Sequence, residues 1–355
     1  MEEKVMVKGN EAMGEAAVRA GCRLYFGYPI TPQSELTEYM ARRLPEVGGT
    51  FLQSESEVAA VNMIYGAAST GTRVMTSTSS PGFSLMQEGV SYIAGAELPA
   101  VFINVVRGGP GLGDIQPAQS DYFQATKGGG HGDYKLIVLS PGSIQEAVDL
   151  VVLAFDLADK YRNPVLILAD GMLGQMMEPV SFPEFRDLST LPDHSSWALQ
   201  GCEGREPHKV TSFNIDPHCL EEMNLGYQKK YREIEKNEVR YLTEMVDDAE
   251  YLLVAYGTMG RILGNVVRKA REMGIKAGLF RPITLWPYPY RELKEAAKGK
   301  KAVLTVEMSA GQMVEDVRLA VEGNVPVHFY GRTGGVVPTP QEVFGELKKI
   351  VERGE

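Results

Sequence analysis

Cysteine is scarce in this chain: three in 355 residues, Cys22, Cys202 and Cys219, with no C-x-x-C pair. That excludes a disulfide framework, a zinc ribbon and a complete thiolate set for an iron–sulfur cluster of its own. Long apolar runs are missing too, and none approaches the roughly 18–20 residues that cross a bilayer. The opening MEEKVMVKGN is charged and has no hydrophobic signal region, so a cytoplasmic setting away from membranes is expected. Basic residues do not cluster; the densest patch, QKKYREIEK, is neutralised by its own glutamates. With a net charge of −10 and a pI near 5.2, nucleic acid and anionic membrane surfaces are poor partners. No G-x-x-x-x-G-K-[ST] loop and no G-x-S-x-G elbow occurs.

What is present is an ordinary globular composition, 44% hydrophobic and 23% charged, in a chain long enough for two domains. From residue 20 to 172, RLYFGYP, TFLQS, TRVMTSTS, AVFINVV, KLIVLS and PVLILAD read as strands, with helical patterns between them. Strands that are apolar throughout, separated by helices, predict a parallel sheet covered on both faces. Residues 183–245 lose this alternation: a connector rich in Pro, Ser and Gly precedes a charged helix that should lie across a surface. The alternation resumes near residue 250. The expected division is therefore a first α/β domain over 1–182, a connector over 183–245 and a second α/β domain over 246–355.

Chemistry-bearing residues gather where strands end, which is where open parallel sheets bind ligands. In GYPITPQSE, Pro29 and Pro32 stiffen the loop and hold Thr31 either toward that crevice or as the cap of the next helix. In QSESEVAAVNMIYGAA, Glu55 and Glu57 stand before a helix of small residues, and Ser54 with Glu57 also matches a capping box. In STSSPGFSLMQEG, Ser80 can cap and Pro81 open a helix whose first N–H groups are free. In FINVVRGGPG, Arg107 ends a buried strand and needs a carboxylate, a phosphate or water. Such a set suits a small anionic substrate beside an organic cofactor. Two motifs point elsewhere only weakly. GGPGLG (108–113) has the wrong spacing for a dinucleotide loop and no helix after it, while AYGTMGR (255–261) fits tight strand-to-helix packing. His131, in KGGGHGDYK, has no metal partner at ligand spacing and reads as a loop hydrogen-bonder.

YPITP, QSESE, SSPGFSLMQEG and VRGGPG, in this order, resemble the α subunit of the 2-oxoacid:ferredoxin oxidoreductases, above all the branched-chain type that acts on 3-methyl-2-oxobutanoate. RPITLWPYP and VEMSAGQM extend the resemblance into the second domain. It implies a thiamine diphosphate-binding fold, with a pyrimidine-binding first domain and a transketolase C-terminal-like second one. It also implies a glutamate bonded to the pyrimidine ring nitrogen, which promotes the imino tautomer. Related helices place a glycine nine residues beyond that glutamate, and Gly66 is nine after Glu57 and eleven after Glu55, which selects Glu57. Thr31 and Arg107 are then the residues for the 2-oxoacid carboxylate. Tyr28 and Pro29 line the pyrimidine pocket, with Ser80 a further candidate.

The same resemblance makes the gaps informative. A whole thiamine diphosphate enzyme carries G-D-G and a downstream asparagine for magnesium and diphosphate; this chain has ADGMLG at 169–174, without the first glycine. A partner β subunit is expected to bring the diphosphate site, Mg²⁺ and a 4Fe–4S cluster, with γ and ferredoxin-like δ subunits beside it. The implied reaction is oxidative decarboxylation of a 2-oxoacid with coenzyme A, giving acyl-CoA, carbon dioxide and reduced ferredoxin. The same reaction on 2-oxoglutarate is the near alternative, to be favoured by a second basic residue in the pocket. A noncatalytic nucleotide- or CoA-binding subunit using AYGTMGR, or a purely assembling one, is the alternative from another class.

Overall fold

The structure, a computed structural model, describes residues 4–354. After β1 (Val5–Lys8) and α1 (Gly9–Arg19) come β2 (Leu24–Gly27), α2 (Ser34–Glu46), β3 (Thr50–Gln53), α3 (Glu57–Ala68), β4 (Val74–Thr78), α4 (Ser80–Gly95) and β5 (Val101–Val106). A loop with the short α5 (Tyr122–Thr126) leads to β6 (Ile137–Leu139), α6 (Ile144–Tyr161), β7 (Val165–Asp170), α7 (Gly171–Gln175) and β8 (Met177–Val180). The connector and α8 (Pro217–Asn237) follow. The chain then continues through β9 (Tyr241–Glu244), β10 (Tyr251–Val254), α9 (Gly257–Glu272), β11 (Ala277–Pro282) and β12 (Thr284–Trp286). It ends with α10 (Tyr290–Ala297), β13 (Ala302–Glu307), α11 (Met313–Val321), β14 (Val327–Gly331) and α12 (Pro340–Arg353).

Seven strands form the first sheet, in the order β12-β6-β7-β5-β4-β2-β3, and five the second, β14-β13-β10-β11-β9. Strands β2 to β7 pair in parallel. Every residue of β4, β5 and β7 is buried, as wholly apolar strands require when helices cover both faces. Their carboxyl ends share one edge of the sheet, so Tyr28, Ser80 and Arg107 follow adjacent strands on the same side. Among the described residues no helix is long and apolar enough to cross a membrane.

Three features differ from the sequence reading. RPITLW divides: β11 stays in the second sheet, while β12 pairs antiparallel with β6 in the first. The charged helix stops at Asn237, because Tyr241–Glu244 pairs antiparallel with β11 as an edge strand. Helix α8 does lie across the surface, through a stripe of Tyr227, Tyr231 and Ile234 at helical spacing. An additional hairpin-like pair, β1 with β8, had no distinct signal in the sequence.

The two sheets are stitched by buried polar contacts. Gln119 donates its backbone N–H to the Met308 carbonyl at 2.8 Å, accepts from Met308 N–H at 3.0 Å through Oε1, and donates from Nε2 to the Tyr256 carbonyl at 3.0 Å. Gln312 donates to the Ser120 carbonyl and accepts from Phe123 N–H. Arg281 grips Glu146 with two parallel N–H···O bonds of 2.8 and 2.9 Å. The loop after β5 is thereby held against the turn after β13.

Candidate active site

The GYPITPQSE loop leaves β2 with Tyr28, Pro29 and Thr31 exposed and Pro32 and Gln33 buried. The helix that follows starts at Ser34 with Gln33 in the capping position, so Thr31 does not cap it and Pro32 is not its first residue. The loop is instead fixed from behind. The Pro32 carbonyl accepts from Asn10 Nδ2 at 2.8 Å and from Gln175 Nε2 at 3.1 Å. Gln33 Oε1 accepts the hydroxyls of Thr37 and Ser77.

At the start of α3 the cap is Ser56, whose hydroxyl accepts from Ala59 N–H; Ser54 donates to the Ser56 carbonyl rather than capping. The capping-box reading of Glu57 therefore does not hold. Glu57 is the first helical residue and only 5% exposed, whereas Glu55 faces solvent. Among the described residues the Glu57 carboxylate has no hydrogen bond and no ion pair. A nearly buried carboxylate without a partner inside the chain is complemented by an external donor.

Gly82, in the first turn of α4, shows how closely that carboxylate is approached. A Cβ there would lie 2.5 Å from Glu57 Oε1, 2.8 Å from its Cγ and 2.1 Å from Thr78 Oγ1. Only glycine fits against these two side chains. Ser79, not Ser80, occupies the position before α4, and its hydroxyl is buried without a partner. Ser80 faces the next strand end: its Oγ accepts from the Arg107 backbone N–H at 3.0 Å. The first turn of α4 thus touches Glu57 on one side and Arg107 on the other.

Arg107 is 7% exposed. Its Nη1 donates to the Thr31 carbonyl and its Nη2 to the Leu112 carbonyl, each at 2.9 Å, and its Nε is buried and unpartnered. No carboxylate neutralises it among the described residues, and donors of the guanidinium remain free for an anion. It opens on a cavity of about 540 Å³ lined also by Ser80, Asp121, Met308, Ser309 and Gln312. Thr31 is joined to Arg107 through its carbonyl but lines a different cavity of about 680 Å³, with Glu35, Gln116, Met172, Gln175 and Val337.

Several roles emerge that sequence reasoning did not find. Asp121 lines the Arg107 cavity and accepts from Asn104 Nδ2 at 2.9 Å. Asp170, within ADGMLG, caps α7 through the N–H groups of Met172 and Leu173 and accepts Thr258 Oγ1 across the sheets. Burial raises its carboxyl above the ordinary range, against those hydrogen bonds. AYGTMGR is accordingly a packing element: Gly257, Thr258, Met259 and Gly260 are buried, and the Arg281 side chain fills the space beside Gly260. His131 is exposed and makes no hydrogen bond among the described residues; Tyr134 holds that loop, its hydroxyl accepting from Gly130 N–H at 2.9 Å.

The family model described as pyruvate flavodoxin/ferredoxin oxidoreductase, thiamine diphosphate-binding, matches residues 15–237. One described as pyruvate:ferredoxin oxidoreductase core domain II matches residues 249–343. The ketoisovalerate oxidoreductase subunit VorB of Methanothermobacter marburgensis is 52% identical over 345 residues, covering 97% of each chain. The 2-oxoglutarate synthase subunit KorA of Methanothermobacter thermautotrophicus is 36% identical over 375 residues, covering 99% of this chain and 100% of the relative. Among solved structures, 2-oxoglutarate:ferredoxin oxidoreductase from Magnetococcus marinus, with 2-oxoglutarate, coenzyme A and succinyl-CoA bound, superposes with a TM-score of 0.89 at 27% identity. That match covers 99% of this chain and 66% of the other. A split-gene transketolase shares the fold alone, with a TM-score of 0.61 at 15% identity.

Proposed function

The chain belongs to the 2-oxoacid:ferredoxin oxidoreductase family, and from that premise we propose that it is the α subunit of a complex that oxidatively decarboxylates 3-methyl-2-oxobutanoate. The observation that carries the reading is the Glu57 carboxylate, on a side chain only 5% exposed, without a hydrogen bond or ion pair among the described residues and packed against Gly82. Thiamine diphosphate, when bound, would supply a nucleophilic carbon and an electron sink for the decarboxylation. Glu57 would hold its pyrimidine, accepting a hydrogen bond worth roughly 1.5–3 kcal/mol, enough to bias a tautomer by one or two orders of magnitude.

Arg107 would bind the substrate carboxylate through its free donors, while the Thr31 and Leu112 carbonyls hold the guanidinium plane. Thr31 would assist from the GYPITP loop, with Tyr28 and Pro29 at the exposed lip and Ser80 bracing the Arg107 main chain. Overall, the 2-oxoacid anion and coenzyme A thiol yield acyl-CoA, carbon dioxide, a proton and two electrons, the last passed to ferredoxin. Partner chains would contribute Mg²⁺, the diphosphate site and 4Fe–4S clusters, as β, γ and δ subunits in the cytoplasm.

Substrate choice follows from charge. Among the described residues lining the cavity, Arg107 is the one cationic side chain, and Asp121 is an acid. One guanidinium matches one carboxylate, whereas the second carboxylate of 2-oxoglutarate finds no counterion there. The noncatalytic CoA- or nucleotide-binding alternative loses its loop, because the start of α9 is sealed by Asp170, Ser140 and Gln119. The test is anaerobic: purify the co-expressed complex and follow CoA-dependent reduction of ferredoxin or a viologen with 3-methyl-2-oxobutanoate, 2-oxoglutarate, pyruvate and indolepyruvate. Highest kcat/KM on 3-methyl-2-oxobutanoate is expected. Preference for 2-oxoglutarate would overturn the substrate, and no turnover with intact clusters and bound cofactor would overturn the reaction.

A further inference from the structure

We propose that Glu35 is a positioning residue for substrate binding: with Asn10 and Gln175 it clamps the Thr31–Pro32 turn from behind and so sets the aim of Arg107. The inference rests on the functional reading above. The carbonyls of Thr31 and Pro32, consecutive in the chain, serve different partners. That of Thr31 accepts from Arg107 Nη1 at 2.9 Å. That of Pro32 accepts from Asn10 Nδ2 at 2.8 Å and from Gln175 Nε2 at 3.1 Å. The pyrrolidine ring locks the N–Cα torsion of Pro32, so a single free torsion separates the two carbonyls. Pinning the second therefore narrows the first, and with it the arginine.

Glu35 closes the clamp. Its Oε2 accepts a second N–H from each amide, from Asn10 Nδ2 at 2.9 Å and from Gln175 Nε2 at 2.9 Å. A carboxamide has two hydrogens to donate, and both amides direct theirs to the same two oxygens, the Pro32 carbonyl and the Glu35 carboxylate. With an acceptor on each side, neither amide can turn its own oxygen there, which settles the orientation of both. The bonds to the carboxylate are charge-assisted and are the stronger pair. Burial opposes the charge of Glu35, but the hydrogen bonds it accepts hold its carboxyl below the ordinary range, so it stays an acceptor. Lys8 Nζ stands 3.4 Å from its other oxygen.

Three elements distant in sequence meet at this point. Asn10 is fully buried at the start of α1, Glu35 lies in the first turn of α2, and Gln175 ends α7. None of the three lines the cavity on which Arg107 opens; Glu35 and Gln175 line the other one, with Thr31. The clamp therefore acts on a substrate held by Arg107 through the turn and not by contact. Asp170 caps the opposite end of α7 and accepts the Thr258 hydroxyl. The second α/β unit thus reaches the clamp through one short helix.

The experiment uses the whole complex and reads kcat and KM for 3-methyl-2-oxobutanoate separately in E35A, E35Q, R107K and the pair E35A/R107K. E35A is expected to raise KM about tenfold with kcat nearly unchanged, because both amides lose an acceptor while Glu57 is untouched. E35Q keeps an oxygen for the two amides and should return KM to within about threefold of wild type. Adding E35A to R107K should raise KM no further, since lysine no longer engages the Thr31 carbonyl that the clamp sets. An unchanged KM in E35A, a fall in kcat at constant KM, or multiplying effects in the pair would overturn the clamp. If E35A does not assemble, Q175A decides: its side chain is exposed, and losing one of the two donors must still raise KM about threefold. A wild-type complex that turns over no 2-oxoacid would overturn the functional reading itself, an outcome separate from any difference among variants.

Discussion

Gly82→Ala offers the sharpest geometric test of the cofactor cradle. The new methyl carbon would sit 2.5 Å from Glu57 Oε1, and ordinary contact begins near 3.4 Å, so the carboxylate must retreat by about 0.9 Å. The contact with Thr78 Oγ1 at the end of β4 is tighter still, at 2.1 Å, so the first turn of α4 must also shift away from β4. A shift of that size at a reacting group costs on the order of 10²-fold in rate. The fold should suffer much less. Overpacking costs about 1–3 kcal/mol, and alanine in a helix regains about 1 kcal/mol over glycine. The purified complex should therefore assemble with its thermal midpoint lowered by a few degrees, bind thiamine diphosphate weakly and lose about 100-fold in CoA-dependent dye reduction. Full cofactor content together with wild-type turnover would refute the placement of the cofactor ring against Glu57.

Two other perturbations separate binding from architecture. Arg107→Lys keeps the charge but cannot hold the Thr31 and Leu112 carbonyls while offering a fork to the substrate. Its KM should rise about 100-fold, and unchanged steady-state constants would contradict the assignment. Asp170→Asn tests the latch between the sheets. Because the Asp170 carboxyl titrates above its ordinary value in the folded chain, its contribution to stability is largest at low pH and fades as pH rises through that raised value. The asparagine does not titrate. Its stability relative to wild type should worsen as pH falls from about 8 to about 4, and a difference independent of pH would contradict a buried, proton-holding Asp170.

Much of the first sheet was legible because its central strands are apolar at every position, a pattern that only two-sided burial produces. The ligand edge followed from topology, since parallel strands put their ends together. Strand β12 was not legible: nothing in RPITLWP marks a break, and the transfer of Thr284–Trp286 to the first sheet depends on pairing with β6, more than a hundred residues earlier. Capping was also misplaced by a residue or two, at Ser56, Ser79 and Gln33, because adjacent serines and prolines satisfy the same local rules. Asp121 gave no motif at all, and Asp170 stood only in the incomplete ADGMLG. Their meaning lies in partners that only tertiary structure supplies, Asn104 for one and Thr258 for the other.

Glu57→Gln in the assembled complex decides whether Glu57 serves the cofactor rather than the fold. The substitution preserves shape beside Gly82 and removes the acceptor charge from a side chain with no partner among the described residues. Assembly and thermal stability should be unchanged, with kcat for 3-methyl-2-oxobutanoate reduced by about two orders of magnitude or more. A Glu57→Gln complex with wild-type turnover, or one that simply fails to fold, would contradict the cofactor role.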